Sequence, residues 1–377
     1  MRMCNLIKYM SQVSDFRDGF NLKHKLVDIL TIAVLAVLSG VETWDDMELY
    51  GKERHSLLKK FLELPAGIPS HDTFNRVFSL LDPKSLESAL QEWISSLVAT
   101  LPPELIAIDG KSLRGSNKPS AHSFVHMVSA FACSCGLSLA QIKVDEKSNE
   151  ITAIPELLDM IDIEGCTISI DAMGCQKNIA AKIISKKADY ILAIKDNQPT
   201  LRLDALLMSK NCRPDDDYID TDAGHGRIEK RRTRIYRDMA CISQFWPGVS
   251  SVIRVDSLRY DKTNSEYKAQ ETRFYITSLH NVEASQFARW IRAHWGIENQ
   301  LHWVLDMAFN EDASQKRAGN SAENFSRLLR FARNILKRYK DTHPTKLSYR
   351  SMKFKAALQE DFALEVLKAV FGMTCFA

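Results

Sequence analysis

Apolar positions recur at helical spacing through the first quarter of the chain. Runs at 26–38, 44–64, 73–80 and 85–98 never alternate residue by residue. They predict a region, 13–98, that is helical throughout and punctuated by "LPAGIPS" and "LDPKS". Within it, "IPSHDTFNRVFSLL" (68–81) sets a cap residue, Ser70 or Asp72, before a short amphipathic helix carrying Thr73, Asn75 and Arg76. Such a helix suits the reading helix of a helix-turn-helix and, equally, an ordinary capped helix in a bundle. "ATLPPEL" (99–105) is a natural boundary, so residues 1–100 are expected to form an all-helical N-terminal domain.

The pattern then changes. "LIAIDG" reads as a strand, and "FVHMVSAFAC" and "LSLAQIKV" as two more joined by a turn around Gly136. "ITAIPELLDMID" is helical, "CTISIDAMG" a strand, "QKNIAAKIISKKA" a helix and "DYILAIKD" a strand. This order predicts an α/β core, a mixed sheet with helices on its faces. A short helix (199–208) precedes a β-rich stretch (211–280) in which "SSVIRVDSLRY" and "TRFYITSL" alternate. Residues 283–340 are strongly helical, and the tail adds one or two helices. The expected divisions are 1–100, 101–345 and 346–377.

Composition narrows the class. The chain has 377 residues, 45% hydrophobic and 26% charged, as in soluble globular proteins. A net charge of +3 is too small to argue for a polyanion partner, so any nucleic-acid site must be a local patch. The greasiest run, "ILTIAVLAVLSG" (29–40), lies between Asp28 and Asp45 and is shorter than the roughly 20 residues a bilayer span needs. It is expected to be a core helix. "MRMCNLIKYMSQVSDF" has no apolar leader pattern, so a cytoplasmic protein is expected, without membrane contact. The 8 cysteines are scattered without a C-x-x-C pair and read as buried, reduced thiols.

Two carboxylates occupy comparable places. Asp109 closes "LIAID" and Asp171 closes "TISID", each the first charged residue after a buried run. Open sheets place their chemistry at such strand ends. Asp109-Gly110 also has the composition of a two-residue hairpin turn, and Asp171 that of a turn or cap before "AMGCQKN". A third acid lies in "RWIRAHWGIENQLHWVLDMAFNED" (289–312). Drawn as one helix, Ile291, Trp295, Glu298, His302, Leu305 and Phe309 form a single stripe, with His294 one turn before Glu298. A buried Glu298 needs a metal or a cation, or the stripe edges a solvated face where Glu298 pairs with His294 or His302. Zinc on His294 and His302 lacks an evident fourth ligand. Three carboxylates suit hard divalent cations, and two Mg²⁺ ions about 4 Å apart can promote in-line phosphodiester displacement.

The blocks "AIDGKSLRGS", "KSNEITAIPELLDMIDIEG", "TISIDAMGCQKNIA", "ADYILAIKDNQPTL", "GHGRIEKRR", "FWPGVSSV" and "RAHWGIENQLHWVLDMAFNEDAS" occur in order over nearly the whole chain. They resemble the H-repeat-associated insertion-sequence transposases, DDE-superfamily proteins with a ribonuclease H-like core. The resemblance implies that Asp109, Asp171 and Glu298 are catalytic metal ligands for two Mg²⁺ ions, with Mn²⁺ able to substitute. It also implies that 211–280 is an insertion between the second Asp and the Glu. It implies cleavage at the element's inverted-repeat ends and strand transfer to target DNA by a homodimer, with no covalent protein–DNA intermediate. One departure is visible. Related enzymes carry a Tyr-x2-Arg-x3-Glu-x6-Lys signature, where this chain has Ile291, His294 and Leu305 around Glu298. Arg292 or His294 would then stand in for the Arg, and Asp306, Glu311 and Asp312 are alternative ligands.

Cations supply the expected DNA contacts. Lys111 and Arg114 follow Asp109, and Lys195 ends another strand. "GRIEKRRTR" (226–234) carries Arg227, Lys230, Arg231, Arg232 and Arg234. "SRLLRFARNILKRYK" (326–340) spaces Arg327, Arg330, Arg333, Lys337 and Lys340 as a basic stripe. Trp290, Trp295 and Trp303 are expected in the core rather than stacked on a base. The alternatives are a catalytically inactive or domesticated DNA-binding remnant, and a stand-alone metal nuclease.

Overall fold

The structure, a computed structural model, describes residues 5–17, 22–98, 102–118, 123–145, 148–224, 227–261 and 266–372. The N-terminal helices are α1 (Asn5–Met10), α2 (Leu26–Leu38), α3 (Trp44–Glu53), α4 (His55–Leu58), α5 (His71–Leu80) and α6 (Pro83–Val98). α2 is apolar all round because it is enclosed all round: Ile29, Ile32, Ala33 and Val34 have no exposure. Among the described residues no helix is long and apolar enough to cross a membrane. The expected run 44–64 breaks after α4, where Leu64 takes a left-handed turn (φ 46°) and its amide donates to buried Asp28 at 3.0 Å. α5 starts at Ser70, whose side chain accepts from the Thr73 amide, and packs Phe74, Val77 and Phe78 inward.

The sheet begins with β1 (Leu105–Lys118), β2 (Ser123–Ala132) and β3 (Leu137–Lys143). α7 (Glu150–Asp159), β4 (Thr167–Ile170), α8 (Lys177–Ser185), β5 (Asp189–Ile194) and α9 (Pro199–Asn211) follow, then β6 (Asp216–Gly224), β7 (Arg227–Tyr236), β8 (Ser251–Asp261) and β9 (Glu266–Thr277). Among the described residues these strands form one sheet in the order β3-β2-β1-β4-β5-β9-β8-β7-β6. β1, β4 and β5 are parallel, β2 is antiparallel to β1, and β3 is antiparallel to β2: a ribonuclease H-like mixed sheet. The β-rich stretch is not a separate layer. β9 pairs antiparallel with β5, so β6–β9 extend the core sheet.

The strand reading of "LIAIDG" was too short. β1 does not turn at Asp109-Gly110; it runs on to Lys118, with Asp109 opposite Ser129 and Gly110 opposite Val128. β2 offers partners along that whole length, so no turn is needed there.

The C-terminal helices are α10 (Ala284–His294), α11 (Trp303–Phe309), α12 (Ser321–Thr342), α13 (Tyr349–Leu358) and α14 (Glu360–Phe371). A π-helical segment, Ile297–His302, interrupts the helix expected over 289–312. Its wider turn rotates the apolar face, so Ile297 and Leu301 are fully buried, whereas Trp295 and Glu298 of the expected stripe are exposed. α12 packs against the N-terminal helices α2, α5 and α6, strands β2 and β3, and the C-terminal helices α11, α13 and α14. One hydrophobic cluster joins Leu35, Phe74 and Trp93 of the N-terminal helices to Ile108 and Ile168 of the sheet and Phe331 of α12.

Candidate active site

The parallel pairing of β1 and β4 ends at Ile108 opposite Ile170. The next residue on each strand is an aspartate, so Asp109 and Asp171 emerge together where β4 stops and β1 continues with β2. Asp171 accepts from the Met173 amide at 3.0 Å, forming the turn that the sequence also allowed. Glu298 lies in the first turn of the π-helical segment, and π-turns often re-aim side chains at functional sites. All three carboxylates line one cleft of ≈ 500 Å³.

Charge in this cleft is poorly compensated. Burial and the neighbouring Asp171 carboxylate push the Asp109 carboxyl up to about 7, with smaller contributions from Glu150 and Glu298. Burial raises Asp171 as well, followed by the charge of Glu150, while Lys195 opposes the rise. His302 Nδ1 stands 3.5 Å from Asp109, but burial holds that imidazole down at about 3, leaving it neutral. A hard divalent cation fits this donor set: carboxylate oxygens whose burial and mutual repulsion oppose ionisation. As the side chains stand, no three His, Cys, Asp or Glu among the described residues converge closely enough to hold a metal.

The alternative ligands are engaged elsewhere. Lys111 is largely buried, with its ammonium paired to Asp306, to Glu311 at 2.7 Å and to Asp312 at 3.7 Å. This corrects its expected role beside the phosphates, because it is a structural ion. Arg114 stays 81% exposed beside Asp312.

The basic helical stripe is also corrected. Arg330 and Arg333 are each 1% exposed. Arg330 and Arg327 enclose the buried Glu87 carboxylate, with Arg330 Nη2 2.6 Å from both oxygens. Arg333 donates to the carbonyls of Gly136 and Gln300. Lys337 is half-buried and pairs with Asp341 one turn on. Helical spacing concentrated these cations on one face, but that face is packed against the sheet and α6. In the insertion, Arg231 pairs with Glu229 of its own strand at 2.5 Å, and Arg232 pairs with Asp217 of the adjacent acidic strand β6. The side chain of Arg227 lies outside the described residues. Arg292 is bonded to Asp220 and Asp222 of β6. His294 meets Ser169 Oγ at 2.5 Å, and burial lowers it to about 4, so neither stands beside Glu298 as a free cation.

Lys195 is exposed, lines the cleft and makes no ion pair among the described residues. Arg202, Lys210, Arg254 and Arg273 line the same cleft, and no local sequence pattern marks them. They come from α9, β8 and β9, whose meeting only the long-range pairing of β5 with β9 brings about. Trp295 and Trp303 are 38% and 60% exposed, contrary to a core assignment, and the Arg273 guanidinium sits 5.1 Å from the Trp295 ring.

Sheet order defines a protein with a ribonuclease H-like core. The family profile described as "Transposase DDE domain" matches residues 100–335, and "DDE_Tnp_1-associated" matches 7–94. The chain belongs to the DDE transposase family, within its H repeat-associated group. It is 40% identical over 378 residues to "Putative transposase YncI" of Escherichia coli O157:H7, covering 97% of this chain and 95% of that protein. Against "H repeat-associated putative transposase YhhI" of Escherichia coli (strain K12) it is 38% identical over 379 residues, 97% of this chain and 98% of that one. "Inactive transposase YbfQ" from the same strain is 39% identical over 79 residues, 21% of this chain and 94% of its own length. Among solved structures, a piggyBac transposase synaptic complex with hairpin DNA aligns at TM-score 0.42 and 11% identity, over 99% of this chain and 80% of that one.

Proposed function

We propose that this chain is a catalytically competent transposase that cuts DNA at the ends of an insertion sequence and joins the freed 3′-hydroxyls to target DNA. The observation that carries this reading is the emergence of Asp109 and Asp171 together at the end of the β1–β4 ladder, with Glu298 lining the same cleft. In it, Asp109, Asp171 and Glu298 hold two Mg²⁺, for which Mn²⁺ can substitute. Mg²⁺ there supplies Lewis-acid activation of an attacking oxygen and charge neutralisation at the leaving one. Lys195 offers a charge for a phosphate at the cleft mouth, with Arg202 and Lys210 on the α9 wall. Trp295 and its partner Arg273 present a flat face to an unpaired base. Neutral His302 beside Asp109 keeps water from one side of that carboxylate without adding charge. Cutting and joining two ends in one event calls for a homodimer on DNA, working in the cytoplasm.

The binding-only alternative is a chain kept for DNA recognition after catalysis has decayed. Retention of all three acids in one cleft supports the active reading. The test is cleavage of DNA bearing the element's own inverted repeats, with Mg²⁺ or Mn²⁺, by wild type, Asp109→Ala, Asp171→Ala and Glu298→Ala. Cutting by wild type alone is expected. Wild type that binds these ends without cutting them would leave the remnant reading, and unchanged cutting by Glu298→Ala would remove the third ligand.

A further inference from the structure

β4 and β5 are parallel neighbours, so the loops that follow them leave the sheet at the same edge. The first loop opens with Asp171 and folds at once into a turn, the Cys175 amide donating to the Ala172 carbonyl at 3.2 Å. This turn sits hard on its own strand. A Cβ at Gly174 would stand 2.2 Å from Ile170 Cγ2, and Ala172 and Cys175 are buried. The second loop, 195–198, closes through its own backbone, the Gln198 amide donating to the Lys195 carbonyl at 3.1 Å. Two side-chain amides then cross from the second loop to the first. Asn197 Nδ2 donates to the Ala172 carbonyl at 2.6 Å, and Gln198 Nε2 to the Cys175 carbonyl at 2.8 Å. Local structure requires neither bond. Gln198 holds the N-cap position of α9, where a short Ser, Thr, Asp or Asn is the usual occupant, and its side chain does not cap the helix. The longer side chain reaches the other loop instead. Lys195, at the head of the same loop, lines the cleft with Asp171.

We infer that Asn197 and Gln198 are positioning residues for Asp171, fixing the turn behind it from the loop after β5. The inference rests on the metal-dependent reading above. The ladders of β4 with both of its neighbours end at Ile170, so no strand pairing holds the Asp171 backbone. The carboxylate is tied to its own turn through the Met173 amide at 3.0 Å, and the two side-chain amides tie that turn to the neighbouring loop. Loss of either donor frees the turn to shift, and the carboxylate shifts with it.

The test pairs Mn²⁺ binding to the full chain without DNA, followed by the loss of the free-ion electron paramagnetic resonance signal, with cleavage of the element's ends. Wild type is compared with Asn197→Ala, Gln198→Met, Asp171→Asn and Thr200→Ala, the last altering an exposed residue in the first turn of α9. Gln198→Met keeps the length of the side chain without its donor. Asn197→Ala and Gln198→Met are each expected to weaken Mn²⁺ binding, and to slow cleavage at saturating DNA, about tenfold. Affinity for end DNA in metal-free buffer should stay at the wild-type value, and Thr200→Ala should match wild type throughout. Circular dichroism melting checks that each variant is folded, and either amide variant decides alone if the other is not. Wild-type Mn²⁺ affinity and cleavage rate in the amide variants, with binding lost in Asp171→Asn, overturns the inference alone. Weakened end binding in metal-free buffer with Mn²⁺ affinity intact also overturns it, because the loop then acts on DNA directly. No Mn²⁺ binding by wild type overturns the metal reading and this inference with it.

Discussion

Lys111 and Glu311 form an ion pair of 2.7 Å, and Glu311 is 3% exposed. Burial raises the Glu311 carboxyl, opposed by the Lys111 charge and by the Ser326 hydroxyl at 2.8 Å. Ser326 also meets the Gln141 side chain, and the Gln141 amide donates to Glu87 at 3.0 Å. A continuous polar path therefore links the strand bearing Asp109 to α6 of the N-terminal region. Each member is satisfied by the next, which is what burying charge requires.

Removing one end of that path exposes its cost. Lys111→Met leaves Glu311 buried without its cation and is expected to lower stability by about 3 kcal/mol. Urea unfolding followed by circular dichroism measures this. The salt dependence of DNA affinity should be unchanged, because Lys111 does not face a phosphate.

The cleft acids make the folded chain sensitive to pH. Asp109 holds its proton up to about 7, well above the ordinary carboxylate value of 3.8, so the folded state binds that proton more tightly than the unfolded one. Its contribution to stability is therefore present at low pH and lost as pH rises from about 4 to 7. Asp109→Asn removes the penalty, which is at most roughly 4 kcal/mol. In metal-free buffer the variant should melt higher than wild type at pH 8, and the difference should close near pH 4. Equal melting temperatures at pH 8 would contradict the uncompensated charge.

Buried histidines act in the opposite direction. His294 and His302 are held down at about 4 and about 3, so acid favours the unfolded chain, where they charge near 6.5. Stability from these two is complete above 6.5 and falls as pH drops toward 4. His294→Gln is expected to flatten this part of the acid-unfolding curve.

Exposed and buried cations should separate in DNA binding. Lys195→Ala is expected to reduce the slope of log affinity against log salt by about 0.7–0.9, one phosphate contact, with little change in melting temperature. Arg333→Ala, by contrast, empties a fully buried site and should destabilise the fold by about 3 kcal/mol. A folded Arg333→Ala with a reduced salt slope would restore the basic-stripe reading.

Local pattern was enough for the alternation of helices and strands and for the two aspartates that end apolar runs. Those features depend on residues within one element, where periodicity of 3.6 or 2 reflects which face meets the core. Asp109 and Asp171 were legible for the same reason: a charge after a buried run must lie where the sheet opens. Whether β1 turns at Gly110, which face of α12 is covered and where the helix after α10 widens depend on partners far away in sequence. "SRLLRFARNILKRYK" has the same basic periodicity whether it faces water or Glu87, and only packing against α6 decides that Arg330 is an internal ion. The tertiary structure likewise decides that β9 joins β5, which carries Arg273 to the cleft of the carboxylates, and that Glu150 reaches the strand of Asp109. Sequence spacing determines what an element can present; the long-range pairing of elements determines to what it is presented.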